Sequence, residues 1–424
     1  MKIKHPFKSF LGTDDNLRYF TLNGILFTIV TIFSRTYAPK FINRLGATSL
    51  HYSLFNSLPG LVAVLTTIPG ILYIQNSKDT SKVMRRFFYI SRFFPLLLVA
   101  TPFLPVQFRG YAFVVLFSLM NLPESIGQTA LQSWTGNIFH PQEIPVALSQ
   151  KNKISQIFTI VFSILVGLIL SIPSNANNNQ VILIYQTLFI ASVIFGIFEI
   201  RALQKIKEVQ KAPIPRKLRL GSSIHTIFKH KEYVVFLVCS LLFHFAWQMG
   251  WPLFNLYQIE YLGADEKWLT LINVSNALAM VLSFNLWSYL IRQKGYKLTT
   301  AIVVLGMAVS PLLYALTNTL LMITIMNIFI GIFVSGTTVV ILGSLLEAAQ
   351  PDEVMLSIAV HQTLINITLF LSPFASELIL RNWNIHFALY VTAGLRLFAS
   401  LAFFLRWVFL EKLPDKKNLQ SKSS

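Results

Sequence analysis

The sequence predicts an all-α membrane protein, with twelve transmembrane helices arranged as two pseudo-symmetric six-helix bundles. Three observations carry this prediction. The 424 residues are 54% hydrophobic and only 12% charged, against roughly 25% charged in an average soluble domain. Apolar runs of about 20 residues, each long enough to cross a hydrocarbon core of about 30 Å as a helix, recur along the whole length. Short segments of the two halves also echo each other.

The runs place spans at 17–39, 50–74, 86–105, 109–135, 148–172, 180–202, 231–260, 267–291, 297–317, 319–347, 354–380 and 384–411. The first is too long for the apolar segment of a signal peptide and lacks a small-residue cleavage pattern, so it is expected to stay attached. Lys and Arg then give the orientation, because cytoplasmic connections carry an excess of them. Lys40, Arg44, Arg109, Lys267 and Arg381 fall on one side, Arg35 and Arg396 fall within spans, and the rest of the 35 Lys and Arg fall on the other side. That count assigns Arg92 to the connection before the third span, Lys151 to that before the fifth and Arg406 to the C-terminal end, although the span bounds take in all three. Both termini are therefore expected in the cytoplasm of a cell-membrane protein.

The net charge of +18 lies where the lipid surface already requires it, which argues against nucleic acid as a partner. Cys239, the single cysteine, forms no intrachain disulfide. The sequence shows no metal-ligand cluster, phosphate loop or nucleophile elbow, so neither an enzyme nor a cofactor is expected.

The longest connection, 203–230, contains "KIKEVQKAPIPRKLRLGS" and separates a first bundle, 1–202, from a second, 231–424. "LGATSLHYSLFN" from Leu45 matches "LGADEKWLTLIN" from Leu262, and "HPQEIPVALS" from His140 matches "QPDEVMLSIA" from Gln350, each pair at corresponding places in the two halves. Such internal repetition is characteristic of duplicated transporters.

With these repeats, the chain resembles the major facilitator superfamily over nearly its whole length. "WTGNIFHPQE" looks like that family's connection after the fourth helix, and "WSYLIRQKGYK" (Trp287 to Lys297) resembles its basic signature. In the first half "GILYIQNSKDTSKVMRR" lacks the signature's aspartate and second glycine, and Arg292 stands where the aspartate belongs in the second. The family's salt-bridged gate therefore does not carry over. Gating by Arg85, Arg86 or Arg292 stands against simple anchoring at the lipid surface. The resemblance implies that spans 1, 4, 7 and 10 line a central cavity.

Polar stripes lie on those four spans. Asn121, Glu124, Gln128 and Gln132 follow steps of 3, 4 and 4 and so share a face of the fourth span. His244, Gln248, Trp251 and Asn255 do the same on the seventh, beside Trp247. The tenth offers Asn327, Gly331, Ser335 and Thr338, and the first offers Asn23, Thr31, Ser34 and Arg35. Unpaired polar groups in hydrocarbon cost several kcal/mol each, so a stripe of four does not face lipid. Glu124, about 22 Å along its helix from Arg109 at 1.5 Å per residue, is either a cavity residue for solute or protons, or a structural partner of Arg35 or Arg396. Pro123 loosens the helix beside it.

Each remaining candidate has a plain alternative. Gln128 and Gln132 are cavity groups or packing hydrogen bonds. Arg35 lines the cavity or snorkels outward. Arg396 finds Glu377 or a helix carbonyl. His244 and His361 bind a ligand or proton or are satisfied packing residues. Trp247 and Trp251 stack a solute or form an interfacial aromatic belt. Glu347 reads as part of the connection after the tenth span.

The function expected is a monomeric secondary carrier in contact with lipid, moving a small organic solute by alternating access, with protons as candidate coupling ion through Glu124. The solute contacts expected are Glu124, Asn121, Gln128, His244, Gln248, Trp251, Asn255, Asn327 and Arg35. The few fixed charges assigned to the cavity favour a neutral or weakly cationic solute. The alternative is a transporter-shaped sensor or scaffold acting through the 203–230 loop.

Overall fold

A computed structural model describes residues 11–12, 14–75, 77, 79–140, 143–172, 178–209, 220–350 and 353–411. The first span is α1 (Asp15–Thr31), a π-helical turn (Ile32–Thr36) and α2 (Ala38–Arg44). Spans two to six are α3 (Ser49–Gln75), α4 (Thr80–Val99), α5 (Val106–Ile138), α6 (Ile144–Ser171) and α7 (Asn178–Gln204). A short α8 (Leu220–Lys229) leads into the second half, formed by α9 (Lys231–Leu256), α10 (Glu266–Ala315), α11 (Leu320–Ala348), α12 (Val354–Asn382) and α13 (Ile385–Glu411).

Among the described residues, eight helices are long and apolar enough to cross a membrane. One of them, α10, has 50 residues and holds two spans, broken where Gly295 takes a φ of 72° inside "RQKGYK". The α3, α4 and α5 helices supply the other three spans.

Helix starts follow local chemistry. Asp14, Asp79 and Asp265 each accept a hydrogen bond from a backbone N–H three residues on, at 2.9, 3.0 and 2.9 Å, satisfying one of the donors that a helix N-terminus leaves open. The cap at Asp79 starts α4 six residues before the apolar run does. The repeated "LGA" segments turn through Gly46 (φ 86°) and Gly263 (φ 67°), a left-handed conformation that costs glycine little.

The halves meet through α3 on α12 and α6 on α10. Asn43 and Glu260, related by the same spacing as the "LGA" repeats, hydrogen-bond to each other, as equivalent positions beside a pseudo-two-fold axis do. Around them the guanidinium of Arg44 grips the carboxylate of Glu266 at 2.6 and 2.8 Å. Tyr52 donates to Glu260 at 3.2 Å, and Ser49 and Ser53 donate to Glu377 at 2.8 and 3.1 Å. These bonds between the halves cluster at the end of the bundle away from the termini.

Three cations that the charge count assigned to connections lie within helices, inside the bounds given to the third, fifth and twelfth spans. Arg92 is not in a connection: it sits about 18 Å along α4 at 1.5 Å per residue, and is 2% exposed. Lys151 lies within α6 against α1, and Arg406 is buried in α13. The start of the 203–230 connection packs on the first half. Lys207 exchanges hydrogen bonds of 2.8 and 3.0 Å with Asn16, and Glu208 accepts from the Trp134 indole at 2.6 Å, docking residues up to 209 on the first half. Residues 210–219, with most of the linker's basic and proline residues, lie outside the described residues, as do Lys2, Lys4 and Lys8.

Candidate functional site

In the first half the expected stripe becomes part of a charged network. Glu124 (6% exposed) faces Arg92 on α4, whose Nη1 contacts its Oε2 directly. Ser91 donates to the same carboxylate oxygen at 2.6 Å, and the Gln128 amide donates to Oε1 at 3.2 Å. Arg92 reaches equally to Glu199 on α7, through Nε at 2.7 Å and Nη2 at 3.1 Å. Asn23 on α1 donates to Glu199 at 3.4 Å, and accepts from the Lys151 ammonium at 3.0 Å.

At the other end of the chain of contacts, Arg35 donates to the Asn121 side chain at 3.0 Å and stands 3.7 Å from Glu124. Five elements are thus tied together at bilayer depth: the first span with its π-helical turn, α4, α5, α6 and α7.

Two glycines make room for the cations. A Cβ on Gly196 would lie 2.6 Å from the Arg92 side chain, and one on Gly24 would lie 2.6 Å from that of Lys151. Aromatic rings fill the remaining sides. Phe88 and Phe27 lie 5.3 and 5.6 Å from the Arg92 guanidinium, Phe20 lies 4.4 Å from the Lys151 ammonium, and Phe117 lies 5.8 Å from Arg35. Buried charges are tolerated when paired and hydrogen-bonded, and rings of this kind add a favourable electrostatic contact.

The second half is built differently. Arg396 is wholly buried and has no carboxylate partner among the described residues. It donates to the carbonyls of Ala246 (3.2 Å), Trp247 (2.9 Å) and Met307 (2.9 Å) and to the Ser310 hydroxyl (2.5 Å). The carbonyl alternative is therefore the one realised, and Glu377 instead holds Arg381 at 2.8 Å and the two serines of α3.

His244 and His361 bracket the Ser240 hydroxyl at 3.2 and 2.8 Å. Gln248 accepts from Thr368 at 2.8 Å. Asn327 and Gln258 both donate to the Tyr314 hydroxyl, at 3.2 and 2.5 Å. Trp247 and Trp251 meet edge to face at 5.8 Å, and Asn255 is half-buried.

The structure thus gathers Arg35, Asn121, Glu124 and Gln128 into one cluster, and ties His244, Gln248 and Asn327 to neighbours within their own half. Gln132 ends its stripe exposed. Glu347 lies 4.0 Å from Lys297 of the basic signature, whereas Arg86 and Arg292 are exposed. Arg92, Glu199 and Lys151 were not among the expected site residues. One signal was available in the sequence, since an acid and a base at bilayer depth require partners.

Helices of this number and pairing, in two halves that repeat each other, decide the fold. It is that of the major facilitator superfamily. Residues 236–424 match the sequence model described as Major Facilitator Superfamily. The crystal structure of a mutant of the nucleoside transporter NupG superposes with a TM-score of 0.71 at 11% identity, covering 93% of this chain and 100% of that one. That of a D-xylose-proton symporter gives 0.68 at 13%, covering 92% and 96%. A bacterial homolog of the human lysosomal transporter Spinster, inward-facing and unoccupied, gives 0.67 at 12%, covering 95% and 97%. No curated protein matches the chain. The charged cluster draws on the first span and on α5, two of the four spans that carry the polar stripes.

Proposed function

We propose that the chain is a secondary carrier that moves a small organic solute across the cell membrane as a monomer, by rocking one half against the other. The observation that carries this reading is the cluster of Arg35, Asn121, Glu124 and Gln128. Part of the Arg35 side chain, 24%, is uncovered at bilayer depth. A charged residue at the bilayer centre costs about 2.5 to 3.5 kcal/mol on insertion scales, so this uncovered surface calls for water or a solute rather than lipid. The bonds between the halves at the end away from the termini close that end. With the basic connections in the cytoplasm, this reading has the solute enter from the cytoplasmic side in this state.

In this reading Arg35, Asn121 and Gln128 meet the solute, with Trp251, Asn255, His244, Gln248 and Asn327 as the second-half candidates. Glu124 is the proton-coupling residue. Its oxygens already accept from Arg92, Ser91 and Gln128, so an added proton displaces a donor and loosens Arg35 and Arg92 together. That links proton binding to the shape of the site.

Flux into vesicles containing the full chain tests the reading. A carrier moves at least one solute of a broad panel, and Glu124→Gln removes its dependence on a proton gradient. Absence of flux for the whole panel favours a sensor or scaffold instead. Flux with unchanged proton dependence in Glu124→Gln removes the coupling role.

A further inference from the structure

The first-half network holds three bases, Arg35, Arg92 and Lys151, against two acids, Glu124 and Glu199. Arg92 lies between both carboxylates and is satisfied by them. Lys151 has no carboxylate in ion-pair range among the described residues; its ammonium is held by the neutral Asn23 amide oxygen and the face of Phe20. The short bond of Arg35 also goes to a neutral group, Asn121, and its distance to Glu124 is 3.7 Å, which exceeds hydrogen-bonding range. A guanidinium carries five N–H donors in a planar fork. Most of those on Arg35 are left without an acceptor among the described residues, on a side chain that is partly uncovered.

From this surplus we propose that the transported solute is an organic anion whose carboxylate or phosphate seats on Arg35. Lys151 is the second cation it meets, displaced toward the terminal end of the same cavity. Asn23, which holds Lys151, and Arg35 lie twelve residues apart on the first span, about 18 Å at 1.5 Å per residue, so the two cations do not grip one oxyanion together. Arg35 binds and Lys151 attracts.

Two features support this division. A guanidinium fork matches the two oxygens of a carboxylate or phosphate, which a lone ammonium does not. Among the described residues, the second half's buried cations are withheld from a solute: Arg396 is consumed by carbonyls and Arg406 is 3% exposed, and the candidates there are amides, imidazoles and the Trp247–Trp251 pair. The charge count therefore reverses the expectation of a neutral or cationic solute, which rested on Arg92 and Lys151 lying in connections.

The inference rests on the carrier reading for its physiological meaning, but binding tests it independently. Purified full-length protein is titrated with pairs that differ in charge, benzoate against benzyl alcohol and benzylamine, and glucose 6-phosphate against glucose, while thermal unfolding is followed. A ligand that binds only the folded state raises its apparent stability. At least one anion is expected to raise the midpoint saturably while its neutral and cationic counterparts do not. Arg35→Gln is expected to weaken that anion roughly tenfold or more, the size of a charge-assisted hydrogen bond. Arg35→Lys is expected to fall between.

A panel in which no anion stabilises the protein overturns the proposal, as does one in which a neutral or cationic member does so equally. So does anion binding unchanged by Arg35→Gln, provided the unliganded variant still unfolds cooperatively. Flux of a neutral solute that survives Arg35→Gln leaves the carrier reading standing and removes the anion. Anion binding without flux of any solute does the reverse.

Discussion

The two halves present polar stripes of the same kind in sequence, and the structure uses them in opposite ways. In the first half an arginine at bilayer depth, Arg92, is neutralised by two carboxylates from different helices, and the excess charge ends at Arg35, partly uncovered. In the second half Arg396 is wrapped by three carbonyls and a hydroxyl, and the stripe on α9 turns to its neighbours on α12. One bundle leaves an arginine side chain partly uncovered while the other covers its own. A buried cation is thus not by itself a sign of a site; what matters is whether it keeps spare donors on an uncovered surface, as Arg35 does.

That contrast can be broken or sharpened by substitution. The largest effect is expected from Arg92→Gln, which leaves Glu124 and Glu199 facing each other without their shared cation. Removing one partner of a buried charged group costs about 3–5 kcal/mol, so the unfolding midpoint should drop well below that of every variant that follows. Arg396→Met is expected to cost about 1–2 kcal/mol, because the carbonyls it releases carry no net charge. An equal loss in the two variants would erase the difference drawn between the halves.

Arg406 sharpens the comparison from the other direction. It is 3% exposed, its guanidinium nitrogens have no hydrogen-bond partner among the described residues, and it rests 5.2 Å from the Phe236 ring. Arg406→Met should leave stability unchanged or raise it by about 1 kcal/mol, since replacing buried charge by apolar volume is often neutral or stabilising. The smallest effect belongs to Gln132→Ala. That exposed residue continues the Glu124 stripe, and both stability and solute binding should stay within about 0.5 kcal/mol of the unsubstituted protein. A larger loss would extend the site one turn further than the hydrogen bonds do.

The spans and the repeat were legible because each depends on neighbouring residues. Hydropathy marks a span locally, and a turn such as the one through Gly46 or Gly263 is written in three residues. The cluster of Asn121, Glu124 and Gln128 was legible for the same reason, as their spacing follows one helix. Arg92 was not. The span placed at 86–105 takes in residue 92, but its charge was counted with the basic connection before it; the Asp79 cap starts the helix at Thr80 and so sets the arginine deeper along it. Its partner Glu199 lies 107 residues away, and a pairing across that separation depends on how α4, α5 and α7 pack. The same assignment to a connection hid Lys151, and with it the net positive charge of the first-half network.

The central claim, that the first-half polar face borders a wetted chamber, is tested most directly by thiol reactivity at two positions on α5. After Cys239→Ala removes the native cysteine, a membrane-impermeant thiol reagent is applied to Asn121→Cys and, separately, to Leu119→Cys on the lipid-facing side, where Leu119 is 41% exposed. The account predicts fast labelling at position 121, slowed by a bound anion, and slow labelling at position 119. Labelling at position 121 no faster than at position 119 would contradict it.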